Sequence, residues 1–444
     1  MRSSGLAFVC RGGPVKLVAL CCILVSMAPL SDRVSPRAAG VAGERPAQEL
    51  TADSRVQRAL ELLKDSAGAT TEEQIRITEI PAPPFHEEKR AAYLRKLLGD
   101  AGLRVESDSA GNVIGELPGA NANDVVLVTA HLDTVFPEGT DVHVRRDGTR
   151  LLAPGISDNG TGLASLVAVA RAMRDAQIRT RSSIWFVADV GEEGEGNLRG
   201  MHALMDAYRS RLKSVIALDG SATDYVSTGA IASHRIEVVI TGPGGHSWSD
   251  FGAPNPIYAL GRAITKFSET HLPDNPRTTF NIGEIEGGTS VNAIPQRAAM
   301  KVDLRSESES ELPILERDLR AAVQAGVDEE MAEARARNAA AGRAPLQISV
   351  SVLGIRPGGQ LPPDSPLLAV VNDADRVLGN RSRVDRSSTD ANLPLSVGIP
   401  AISIGCGGSS AGAHTTGEWY DPTGRELGLQ RTFLIVLGAA GLAP

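Results

Sequence analysis

The sequence predicts an α/β fold with a mixed, largely parallel central sheet, interrupted by an inserted α+β domain of two layers. Three observations carry this. Short apolar runs alternate with helical periods from Val125 to Leu218 and again after Asp364, the stretch between them changes to alternating strands, and acidic or imidazole residues follow the apolar runs directly. Strands buried on both faces read as continuous apolar runs separated by helices, which is the pattern of a parallel sheet. A chain of 444 residues, 42% apolar and 22% charged, has ordinary globular usage and is too long for one core. About two domains are expected. The net charge of −8 is accompanied by scattered basic residues, so no nucleic-acid partner is expected.

The N-terminus departs from this composition. Arg2, Arg11 and Lys16 lead into the apolar stretch Leu17 to Leu30, and small residues follow at Ala38 to Gly43. This predicts a signal peptide over residues 1–40, because the apolar run is short of the ~20 residues a membrane span requires. Export to a periplasmic or secreted location follows, without stable membrane association after cleavage; an uncleaved N-terminal anchor is the alternative. Cleavage would leave only Cys406 of the four cysteines, so no internal disulfide is expected, and Cys406 reads as a small apolar filler.

A polar linker runs to about Leu50. Ser54 to Gly68 and Glu87 to Ala101 have the period of amphipathic helices, with a proline-rich turn at Ile80 to His86 between them. Val125 to Ala130 reads as a strand, Ala153 to Gly160 as a loop, and Leu163 to Arg174 as a helix. Ser183 to Ala188 and Ser214 to Leu218 are further strands around a helix at Met201 to Leu212. From Thr228 the pattern becomes β-α-β-β-α-β: Arg235 to Ile240, a helix at Pro256 to Glu269, Thr279 to Glu286, Ala298 to Leu304, a helix from Glu309 to about Ala340, and Leu346 to Val352. A helix to Leu378 and a strand at Pro400 to Ile404 resume the first pattern. The expected domains are therefore a catalytic part over 50–227, an insertion over 228–354, and a second catalytic part over 355–444.

The chemistry lies where strands end. His131 and Asp133 close the first strand, and their separation of two residues puts both side chains on one side of an extended segment. Glu192 and Glu193 follow Ile184 to Val190, Asp219 follows Val215 to Leu218, and Asp158 sits in the Gly-flanked loop before a helix. His414 ends the loop after the last strand. Open α/β sheets bind ligands beyond the carboxyl ends of their strands, so these groups can share one crevice. Packed together without cations they would repel, and two zinc-like ions accepting N and O ligands relieve that. Taken singly, each piece also suits a satisfied surface pair or a solvated turn.

The ordered run His131-Leu-Asp133, Asp158-Asn-Gly, Glu192-Glu193, Asp219-Gly and His414-Thr resembles the M20 family of dinuclear zinc peptidases and deacylases over nearly all of the chain after residue 40. The resemblance implies a zinc-peptidase catalytic domain with a ferredoxin-like lid or dimerisation domain. It implies two zinc ions, with cobalt or manganese suiting the same ligands: His131 and Asp219 on one, Glu193 and His414 on the other, and Asp158 bridging both. Asp133 would accept the other N–H of His131, Glu192 would act as general base toward the metal-bridging water, and the Asp158-Asn159 peptide would be cis. In the lid, Gly242-Pro-Gly-Gly-His246, Ser290-Val-Asn292 and Asp303-Leu-Arg305 resemble segments that contact substrate, His246 often in the dimer partner's site and Arg305 through a carboxylate.

The implied activity is hydrolysis of an amide bond in a small peptide, with deacylation of an N-acyl amino acid as the alternative, by a homodimer formed through the lid. Two rivals come from other classes. Gly408-Ser-Ser410-Ala-Gly412 matches the pattern of a serine nucleophile on a strand-to-helix turn, though no helix is expected after it. A non-catalytic metal-dependent peptide-binding protein would keep the fold but lose Glu192 or a bridging ligand, and neither is lost.

Overall fold

The computed structural model describes residues 47–338, 340–341 and 344–444. The signal peptide expected over 1–40 lies outside the described residues. Among the described residues no helix is long and apolar enough to cross a membrane.

A nine-stranded mixed sheet organises the catalytic part. At its centre Ser182–Asp189, Asn121–His131, Leu212–Leu218 and Ala401–Ile404 lie side by side and parallel. All eight residues of Ser182–Asp189 are buried, as is the strand before it from Val125 onward. Fully burying a Val, Leu or Ile is worth roughly 1.5–3 kcal/mol, so these runs pin the strands and with them whatever stands at their ends. Val113–Leu117 and Arg104–Ser107 extend one side antiparallel, while Tyr225–Ala230 and Gly359–Gln360 extend the other. Arg383–Ser387 adds a strand parallel to Tyr225–Ala230. The helices Gly160–Asp175 and Arg425–Ala440 are buried along most of their length and share one core with the sheet.

Residues 232–356 build a second layer structure. Its four-stranded antiparallel sheet has the order Thr278–Gly287, Arg297–Ser306, Ala232–Thr241, Gln347–Arg356. The helices Pro256–Ser268 and Glu311–Arg337 bury Leu260, Phe267, Leu315 and Leu319 against alternate strand residues such as Ile236, Val238 and Val302. This is the β-α-β-β-α-β order expected from the change of hydrophobic period.

Two local expectations differ from the fold. The helix expected over Ser54 to Gly68 is two, Ser54–Asp65 and Ala67–Thr78, meeting at Ser66. The second carries no apolar stripe because it buries Thr70, Thr71, Glu73 and Gln74. The helix around Met201 to Leu212 runs instead over Arg199–Tyr208, and Leu212 already begins the next strand.

Candidate active site

The parallel strands bring their carboxyl ends to one rim. His131 is the last residue of its strand, Asp219 follows Leu218, and the Glu192-Glu193 turn follows Asp189. Gly191 starts that turn at φ +70°, where a Cβ would lie 2.6 Å from the Arg199 guanidinium. Glycine is therefore required on both steric and conformational grounds. His131, Asp158, Glu192, Glu193, Asp219 and His414 line a single chamber of about 240 Å³, together with Arg235, Arg305 and Arg356. His246 and Asn292 do not line it. Both stand exposed, His246 on the strand Gly245–His246 and Asn292 just before its partner Ala293–Ile294, and the His246 ring accepts the Trp248 N–H at 3.1 Å.

Distances within the chamber are short. His131 Nε2 is 3.1 Å from Asp158 Oδ1, and His414 Nε2 is 3.2 Å from Asp158 Oδ2 and 3.0 Å from Glu193 Oε1. One ligand atom each from His131, Asp158 and Glu193 lie within 4.8 Å of one another, a group that could hold a metal ion. His414 occupies the left-handed region at φ 65°, an unfavourable conformation for a residue with a Cβ. Asp158-Asn159 is a cis peptide. The Asn159 side chain accepts the Gly162 N–H at 3.0 Å, capping the helix, and donates to Leu218 O at 2.8 Å, tying the Asp158 loop to the strand that ends beside Asp219.

Asp133 does something its spacing did not suggest. Its carboxylate stands 3.7 Å from His131 Nδ1, and the nearer acceptor for that nitrogen is the Asp133 carbonyl at 3.1 Å. The carboxylate instead accepts the Glu192 N–H at 3.0 Å and the Glu193 N–H at 2.8 Å. It thereby fixes the turn that carries both glutamates.

The electrostatics fit a cation. Burial, with the Asp158 charge next in size, pushes Glu193 up to about 7 and Asp219 up to about 8. Against its burial, Asp158 is held well below the usual carboxylate range by His131 and His414. His414 is raised to about 11 by Asp158 and Glu193. Asp158 Oδ1 is buried without a hydrogen-bond donor. Carboxylates that resist ionising together, an undonated carboxylate oxygen and two imidazoles form an N/O donor set suited to divalent zinc, cobalt or manganese.

Two residues with no local sequence signal complete the site. Glu418 is buried, and its carboxylate accepts the N–H groups of Gly155, Ser157 and Asp158 at 2.8, 2.7 and 3.0 Å. Burial pushes Glu418 up to about 7 against these three bonds. Arg356, the last residue of the lid strand Gln347–Arg356, is 2% exposed and donates to Glu192 Oε1 at 2.7 Å and to the Glu192 carbonyl. Glu418→Ala is expected to destabilise the fold by about 3 kcal/mol or more, since three donors lose their acceptor, and to weaken metal binding roughly tenfold or more. Chemical denaturation and metal titration measure both, and no change in either would remove Glu418 from this role.

The serine pattern does not form a nucleophile turn. Ser409–Ala411 is a strand paired with Trp419–Asp421, and Ser410 Oγ lies 2.8 Å from Ser221 Oγ. Cys406 is buried and unpaired, and burial pushes its thiol up to about 11.

Known proteins resemble this chain in both parts. The model of the M20-type peptidase dimerisation domain matches residues 229–331, and that of peptidase family M28 matches residues 112–236. YqjE of Bacillus subtilis is 26% identical over 355 residues, spanning 76% of this chain and 89% of YqjE. Aminopeptidase PepT from Bacillus cereus superposes with a TM-score of 0.62 at 22% identity, over 84% of this chain and 99% of PepT. Human carnosine dipeptidase 1 superposes with a TM-score of 0.70 at 14% identity, over 87% and 99% of the two chains. With a peptidase dimerisation domain set into a mixed sheet of this topology, the chain is similar to the M20-type metallopeptidases.

Proposed function

We propose that this protein hydrolyses the amide bond of small peptides with two divalent metal ions, zinc by preference. His131 and Asp219 would hold one, Glu193 and His414 the other, and Asp158 would be shared. The observation that carries the reading is the convergence of His131, Asp158, Glu193 and His414 within hydrogen-bond distances, with Glu192 beside them and not drawn into the cluster. The solved peptidases of the same fold support it.

Ions bound there supply the positive field that acidifies water and polarises the scissile carbonyl. The chain's own residues do the rest. Asp133 holds the Glu192 backbone, and Arg356 holds one carboxylate oxygen, so Glu192 is aimed by two fixed partners. As water attacks the carbonyl carbon, Glu192 takes its proton; as the C–N bond breaks, Glu192 returns that proton to the leaving nitrogen. Arg305, on the chamber wall and paired to Asp303 at 2.6 Å, would receive a substrate carboxylate.

The lid supports a homodimer. Its edge strand Thr278–Gly287 is largely exposed, and Trp248, Phe251, Tyr258, Ile285 and Val291 present apolar surface nearby in the chain. In that assembly His246 and Asn292 would serve the partner's chamber. The test is hydrolysis by metal-reconstituted protein of dipeptides, tripeptides, N-blocked peptides and N-acyl amino acids. Free small peptides are expected to be cleaved fastest. Cleavage confined to N-acyl amino acids would replace the peptidase reading with the deacylase one, and cleavage of none would end both.

A further inference from the structure

Beside the catalytic chamber lies a larger cavity of about 620 Å³, lined among others by Thr228, Ile231, Arg277, Arg305, Val384 and Arg386. The two spaces adjoin: Arg305 lines both, and the strand Arg383–Ser387 puts Arg386 on the cavity and Ser387 on the chamber. A chamber of about 240 Å³ is below the size of ordinary small-molecule sites, whereas the cavity is within it. A substrate lying across His131, Asp158 and Glu193 and extending past Arg305 enters this second space.

The charge of that space is distinctive. Three guanidiniums face two carboxylates there, Glu307 and Asp385. Glu307 accepts the backbone N–H of Arg277 at 3.3 Å, and Asp385 accepts the backbone N–H of Arg386 at 2.8 Å, so each carboxylate is engaged by the main chain. Among the described residues the guanidiniums of Arg277 and Arg386 have no hydrogen-bond or ion-pair partner, while Arg305 is paired with Asp303. A concave surface focuses such charge, and a guanidinium fork matches a carboxylate in two hydrogen bonds.

We propose that this cavity is a specificity subsite in which Arg277 and Arg386 bind a carboxylate at the end of the substrate remote from the scissile bond, selecting acidic peptides. The inference rests on the peptidase reading for its substrate class but is tested separately from it. The carboxylate is that of an acidic side chain, and the amide arm of the experiment distinguishes it from the chain terminus.

The full metal-reconstituted chain is offered short peptides identical except for a remote terminal Glu, Gln, Lys or Glu amide. Both kcat/KM and calorimetric Kd are read. The Glu peptide is expected to be favoured roughly tenfold over the Lys peptide, as a few exposed ion pairs of modest strength together allow. Preference for Glu over Gln that persists in the Glu amide assigns the side chain; a preference lost in the amide overturns that assignment in favour of the terminus. Arg277→Gln with Arg386→Gln should bring the ratio to about one. Arg277→Glu with Arg386→Glu should invert it toward Lys, an outcome misfolding cannot produce. Equal treatment of all peptides by the wild type, or a ratio unmoved in both double variants, overturns the proposal. Acid-selective binding without hydrolysis would keep the subsite and sink the peptidase reading.

Discussion

Glu192→Gln is expected to lower kcat by roughly a thousandfold, the scale of a lost general base, while bound metal per chain stays as in the wild type. Glutamine keeps the shape and an oxygen for Arg356 Nη1, now 2.7 Å from Glu192 Oε1, but cannot carry the proton from water to the leaving nitrogen. The change also leaves the buried Arg356 without its nearest counter-charge, and breaking a buried pair costs about 3–5 kcal/mol. Glu193 also acts on Arg356, so the loss falls toward the lower figure. Kinetics are therefore read on protein verified as folded by thermal melting, with metal counted by elemental analysis. A variant with kcat within a few-fold of wild type would show that another group moves the proton.

Stripping divalent metal is expected to abolish hydrolysis and adding zinc back to restore it, with two ions bound per chain at saturation. The same removal is expected to lower the melting temperature. Asp158, Glu193 and Asp219 crowd one chamber, and burial first, then the neighbouring Asp158 charge, pushes Glu193 up to about 7 and Asp219 up to about 8. Ions that bind only the folded site stabilise it by mass action, about 4 kcal/mol at a thousandfold excess over Kd. Calorimetric melting with and without metal, beside a peptide assay, measures both effects. Undiminished turnover by rigorously metal-free protein would end the two-ion reading.

Much of this site could be read from the chain because its key groups are tied to local patterns. His131 and Asp219 directly follow runs whose burial is written in consecutive apolar residues, and such runs place their ends at a sheet rim wherever they pair. The lid was equally legible, since a change of hydrophobic period from 3.6 to 2 marks each of its elements. Where burial does not follow a stripe, the reading failed. The helix Ala67–Thr78 buries Thr70, Thr71 and Gln74, and Gln74 donates to Thr161 at 3.0 Å in the helix behind the Asp158 loop. The helix Arg425–Ala440 is apolar and buried nearly all round, which leaves no period to detect.

From composition, period and strand-end chemistry alone came the α/β class, the place of the insertion and the residues that meet at the rim. Which partners hold those residues came only with the folded chain. Glu418 clamps a loop more than 250 positions away, and Arg356 reaches Glu192 across 164. Asp133 turned out to brace the Glu192-Glu193 backbone more closely than the His131 ring beside it. A hydrophobic pattern is set by whether a position faces water, a property each segment carries in itself. A buried hydrogen bond between distant segments depends on how those segments pack, and no spacing along the chain encodes it.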